Sequence, residues 1–211
     1  MADILIQTAE TATLLPPHPL DPDQIEAGIR LVLHGLGQSD KAEVIANTPR
    51  RVTDLYAEMV NPGWADVEEV FKSFENSIGY DDLVIVNDVH YVSLCEHHLM
   101  PAFGVAHFAY VPDERIVGYS KIKKGLNYVA RGPQLNERIL IDTLDIVEAQ
   151  LRPKGAALIL QTVHCCIAVR SNGPAQEIVT VQGFRGALRQ EPYRREFFDT
   201  VLARKPLFLG Q

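Results

Sequence analysis

The chain has 211 residues, 46% apolar and 22% charged, enough to bury a core without disulfide or metal staples. With 20 Lys and Arg against 27 Asp and Glu, its formal net charge is −7, which argues against a nucleic-acid backbone or an anionic membrane as main partner. The three cysteines, two of them adjacent, make a poor disulfide framework and suit a reducing cytosol, where thiols can serve as metal ligands.

Residues 1–20 hold prolines without sustained periodicity and read as a mobile arm. They lack a basic start and a long apolar run, so neither a secretory signal nor a membrane span is expected. Residues 21–78 read as a helical region. Ile25, Ile29, Val32 and Leu36 recur at helical spacing after Pro22. A second helix is expected to begin with Thr48 as N-cap and Pro49 at its first position, and a third to cover Asp66–Phe74.

From about residue 79 the pattern changes. Residues 82–94 are rich in β-branched side chains, and 103–112 form a second such run; both predict strands. Ser120 predicts the cap of a helix carrying Ile122, Leu126 and Val129. A longer helix is expected over 134–152, with Leu140, Leu144, Val147 and Leu151 on one face. Residues 156–170 read as one long strand, 177–183 as another, and 192–202 as a last helix. The order strand, strand, helix, helix, strand, strand predicts an α+β domain over 79–211: an antiparallel sheet with two helices on one face.

The chemistry concentrates in two places. Cys95-Glu96-His97-His98 sits at a strand end, where the C-x-x-H spacing lets Cys95 and His98 converge on one ion. His164-Cys165-Cys166 follows about 65 residues later on the expected strand. Alternation would put His164, Cys166 and Arg170 on one face and Cys165 on the other. Cys95, His98 and Cys166 then make a three-ligand set of the kind that leaves Zn²⁺ a free position, with His97 and His164 as spare imidazoles for proton transfer. Two plainer readings stand beside this: buried core thiols with ordinary histidines, or a structural zinc whose fourth ligand is His97, His164 or Cys165.

Ser120 and Lys121 at a helix start, with Lys124 one turn on, form a weak anion-site signal. On an extended strand Arg170 would stand about 13 Å from Cys166, the span between a nucleotide base and the end of its phosphates. Glu137, in the first turn of the long helix, either complements the helix dipole or accepts paired N–H donors from a guanine edge.

The segments CEHHLMPAFGVAHFAYVP, IVGYSKI, QLNERI and TVHCCIAVR resemble type I GTP cyclohydrolase over roughly residues 25–200. The resemblance implies the tunnelling fold with an N-terminal helical extension. It also implies a ring, typically a decamer, with active sites between subunits. It assigns Cys95, His98 and Cys166 to Zn²⁺, and His97 and His164 to acid–base catalysis. Glu137, with Asn136 beside it, takes the guanine edge. Ser120, Lys121, Lys124 and Arg170 face the triphosphate, and Arg51 reaches it from a neighbouring subunit. The implied reaction is cytoplasmic conversion of GTP and water to 7,8-dihydroneopterin triphosphate and formate, in pterin biosynthesis. Arg131-Gly132, Asn136, Arg170-Ser171 and 179–182 depart from the family pattern around the pocket rim. These departures admit a paralogue that stops at the formamidopyrimidine or uses another purine nucleotide. A tunnelling-fold reductase needing no zinc and a non-catalytic zinc-binding protein are the more distant alternatives.

Overall fold

A computed structural model describes residues 20–60, 70–171 and 177–203. The expected N-terminal arm lies outside the described residues, apart from its last position. The chain divides into two compact units; the described residues 20–60 belong to one and the rest to the other.

The first unit holds helix α1 (Pro22–Gly35) and helix α2 (Ala42–Val60). The Asp21 carboxylate accepts the Gln24 backbone N–H, and proline at the start of α1 loses no needed donor. Helix α2 corrects an expectation. It begins six residues before Thr48 and carries Pro49 in its interior. Proline there cannot donate to the carbonyl four residues back, that of Ile45. Arg30 Nη1 on α1 donates to that oxygen instead, at 3.0 Å, so a neighbouring side chain meets the need the proline creates.

The second unit is α+β. A two-stranded ribbon pairs β1 (Ser73–Glu75) with β4 (Arg115–Val117). The helix expected over 66–74 therefore stops short of Phe74; residues 66–69 of its span lie outside the described residues. The main sheet contains β2 (Val84–Cys95), β3 (Pro101–Val111), β5 (Pro133–Gln134), β6 (Gly155–His164) and β7 (Ile178–Gly186). Its order is β5-β2-β3-β6-β7, antiparallel except for the short parallel β2–β5 bridge. Helices α3 (Tyr119–Val129) and α4 (Asn136–Leu151) follow β4 and β5.

Side chains alternate across β6, and the two faces meet different partners. Leu158 and Leu160 join Leu126, Ile139 and Leu144 in the core under α3 and α4. Ala157 and Ile159 turn the other way and pack with Phe197 of helix α6 (Tyr193–Leu202). The sheet thus carries two helices on one face, as expected, and the C-terminal helix on the other. Near the middle, Tyr91 on β2 lies opposite Gly104 on β3, which lies opposite Thr162 on β6. The missing side chain at Gly104 lets the Tyr91 ring cross it and hydrogen-bond Thr162.

Candidate metal centre and its surroundings

β2 ends at Cys95, and the chain reverses into β3 through a short turn. The Cys95 N–H donates to the Met100 carbonyl at 2.9 Å, while the Leu99 and His98 N–H groups donate to the Cys95 carbonyl at 2.8 and 3.3 Å. Leu99 takes a left-handed conformation (φ 52°), a costly geometry for a leucine that tightens the reversal. The turn brings His98 back over its own start, with Nδ1 3.6 Å from Cys95 Sγ. His97 is thrown outward, about two-thirds exposed, with Nε2 3.8 Å from a Glu96 oxygen.

The third donor arrives by a different route from the one parity suggests. β6 ends at His164, which pairs with Ala102 near the start of β3. On its other side, β7 is paired only as far as Val163. Beyond His164 no strand among the described residues takes the backbone hydrogen bonds, and they close locally. Cys165–Ala168 form a one-turn helix, α5, with His164 as its N-cap residue. The expected strand over 156–170 is therefore broken, and alternation does not govern Cys165, Cys166 or Arg170. The helical turn directs the buried Cys166 to the site, its Sγ 3.7 Å from Cys95 Sγ. Arg170 stands on the exposed turn after α5, its N–H bonded to the Ile167 carbonyl, so the extended spacing of about 13 Å does not apply.

Cys95, His98 and Cys166 offer donor atoms that all lie within 4.8 Å of one another. No cysteine is in a disulfide. Burial pushes the Cys166 thiol above its usual range, the adjacent Cys95 pushes it the same way, and the Arg170 charge opposes both. Two thiols this close, with an imidazole, are a donor set that a divalent cation satisfies and that water does not. The group could hold a metal ion.

The sheet brings further groups to this end. Gln134 of β5 pairs with Cys95, so α4 starts beside the metal donors. Asn136, buried in the first turn of α4, places its Nδ2 3.1 Å from His164 Nε2. Glu137 follows, exposed, and its carboxylate favours the His164 imidazolium; burial of the ring outweighs it and holds the His164 pKa below the usual imidazole value. Neither the β5 bridge nor the Asn136–His164 contact was legible in the sequence.

The anion-site candidates fall elsewhere. The N-cap of α3 is Gly118, whose carbonyl accepts the Lys121 N–H at 2.8 Å, so Ser120 is not the cap. Ser120 and Lys124 are exposed and Lys121 is half-buried. The α3 start borders a groove lined by Tyr80, Leu83, Tyr110, Val117 and Tyr119. Tyr110 pairs with Ala156, eight residues along β6 from His164, so this groove lies about 26 Å from the metal donors within one chain. Arg51 belongs to the helical unit, exposed, with Nη1 3.7 Å from a Glu43 carboxylate oxygen.

Fold and site together define an α+β protein with a compact cysteine–histidine group able to hold a metal. Residues 25–202 match the family model described as GTP cyclohydrolase I. The chain is 35% identical to the GTP cyclohydrolase 1 of Sulfurihydrogenibium sp. (strain YO3AOP1), over 89% of this chain and 99% of that protein. It is 34% identical to that of Aquifex aeolicus (strain VF5), over 85% and 95%, and 34% identical to that of Brucella suis (strain ATCC 23445 / NCTC 10510), over 85% and 84%. A solved apo structure of the archaeosine synthase QueF-Like overlays half of this chain and 94% of that one, at 19% identity and a TM-score of 0.41; an overlay this loose says nothing about chemistry. The chain belongs to the GTP cyclohydrolase I family, and with it to the enzymes. Among the described residues no helix is long and apolar enough to cross a membrane.

Proposed function

We propose that this protein is a cytoplasmic, zinc-dependent enzyme that opens the imidazole ring of GTP at C8. It releases formate and rearranges the remainder to 7,8-dihydroneopterin triphosphate, with net consumption of one water. The observation that carries the reading is the convergence of Cys95, His98 and Cys166 beside His164 and Glu137, in a chain of this family. Two sulfurs and one imidazole nitrogen suit zinc and leave a coordination position for a reactant. When bound, zinc supplies the Lewis acidity that makes water a nucleophile near neutral pH.

The protein's own groups carry the rest. His164, with its imidazole held largely neutral by burial, takes and returns protons at the purine imidazole nitrogens and, later, at the ribose carbons. His97, exposed on the turn, is the second proton carrier. Glu137 accepts the paired N–H donors of the guanine edge, while Asn136, its neighbour in α4, faces His164. Arg170, Lys121, Lys124 and Arg51 neutralise the triphosphate, and the Ser120 hydroxyl donates a hydrogen bond to it. The α3 start lies too far along the sheet to reach the metal donors of its own chain. That supports a site completed by neighbouring subunits, in a tunnelling-fold ring that we take to be a decamer.

The test is mass spectrometry of products from GTP and other purine nucleotides, with the zinc-loaded protein. Formate and dihydroneopterin triphosphate from GTP are expected. Accumulated formamidopyrimidine, or turnover confined to another purine, would replace this reading with a divergent one.

A further inference from the structure

We infer that Asn136 is a positioning residue for His164, orienting the imidazole through its Nε2. The inference rests on the proposed proton-transfer role of His164. Asn136 is the first residue of α4, directly after the N-cap residue Leu135. Its carboxamide reaches across 28 residues of sequence to the His164 ring, at 3.1 Å. It is 5% exposed, so its polar atoms have little water to fall back on, and a buried amide held by one imidazole holds that imidazole in turn.

Both ends of this contact are fixed by backbone pairing. Gln134 is in register with Cys95 and sets where α4 begins. His164 is in register with Ala102 and caps the helical turn that delivers Cys166. A ring anchored at Nε2 between these two points keeps one orientation beside the metal donors.

An Asn136 engaged with His164 changes turnover; an Asn136 engaged with the purine changes binding. The experiment compares the wild-type full chain with Asn136→Leu, which keeps the volume without the amide, and Asn136→Ser, which stays polar but cannot reach the ring. Metal content reports whether the site is intact, and steady-state formate release from GTP gives kcat and KM. Both variants are expected to keep wild-type metal content and a KM within about threefold, while kcat falls about 10- to 100-fold. In a His164→Ala background the Leu change is expected to leave residual kcat where it was. A tenfold rise in KM with kcat retained, an unchanged kcat, or a further loss of kcat in the His164→Ala background each overturns the inference. A wild-type protein that releases no formate from GTP overturns the proposed function itself, and the inference with it.

Discussion

Cys95 Sγ and Cys166 Sγ stand 3.7 Å apart although 71 residues separate them in sequence. One closes β2 and the other lies in the helical turn after β6, with β3 between the two strands. Neither position is adjustable: the Cys95 N–H is tied to Met100, and β6 is paired along its whole length with β3. Cys166→Ser should therefore preserve the fold and lose the ion. Metal analysis after gel filtration is expected to fall about 10-fold or more from the wild-type stoichiometry. A variant that retains full metal would place the ion elsewhere.

The turn sends two neighbouring histidines in different directions. His98 folds back to Cys95, whereas His97 projects outward and is absent from the donor group. His98→Ala should release metal and, with it, turnover. His97→Ala should keep the metal and still lose formate release by about 100-fold, as removal of a proton carrier does. Metal content and formate measured on the same preparations separate the two outcomes; metal loss in His97→Ala would make it a ligand.

Much of this was legible beforehand because it depends on local pattern. The β-branched runs gave β2 and β3, helical spacing gave α4, and C-x-x-H marked a turn able to bring two donors together. Cys166 joined the donor set by a parity argument that the chain does not obey. Whether β6 continues past His164 depends on where β3 and β7 end, and that information is not in residues 164–170. The α3 cap shifted to Gly118 for a related reason: the turn out of β4 sets where the helix starts, and Ser120 had only propensity to offer. The separation of Lys121 from the metal donors likewise follows from strand register rather than from spacing.

The Tyr91 phenol is almost fully buried, and its pKa is pushed up to about 12, chiefly by burial, with the Thr162 hydrogen bond opposing. An acid whose folded pKa lies above its unfolded value near 10 keeps its full contribution to stability below that value. The contribution is lost as pH rises from about 10 through about 12, at up to roughly 1.4 kcal/mol per pH unit. Denaturant melts across that window should show the decline, and Tyr91→Phe should flatten it. The same variant should be less stable at pH 8 by about 1–3 kcal/mol, because Thr162 is left buried without that partner. An equally steep alkaline loss in Tyr91→Phe would assign it to other groups.

Gly104 gives that crossbar its room. A Cβ there would stand 2.4 Å from the Gln161 carbonyl oxygen and 2.9 Å from the Tyr91 ring. The first neighbour is backbone in the middle of a paired strand and has nowhere to go. Gly104→Ala should cost about 1–3 kcal/mol. It should also weaken metal retention, since β2, β3 and β6 carry the donors from this point outward. Unchanged melting would mean the sheet opens freely at this position.

Arg30 and Pro49 are coupled through a single carbonyl. Proline in a helix interior removes one hydrogen bond and costs about 3 kcal/mol, yet α2 continues to Val60. The oxygen left without its N–H is that of Ile45, and Arg30 supplies the donor at 3.0 Å. Arg30 also lies 3.8 Å from Glu26, a partly exposed i,i+4 pair that contributes little. Arg30→Ala should therefore destabilise the helical unit by about 0.5–1.5 kcal/mol, mainly through the lost hydrogen bond to that carbonyl. Pro49→Ala restores the backbone N–H, so Arg30→Ala in that background should cost markedly less. Helical circular dichroism in a urea titration of the four proteins closes the cycle. A sum that is simply additive would mean that Arg30 supports α2 through its charge alone.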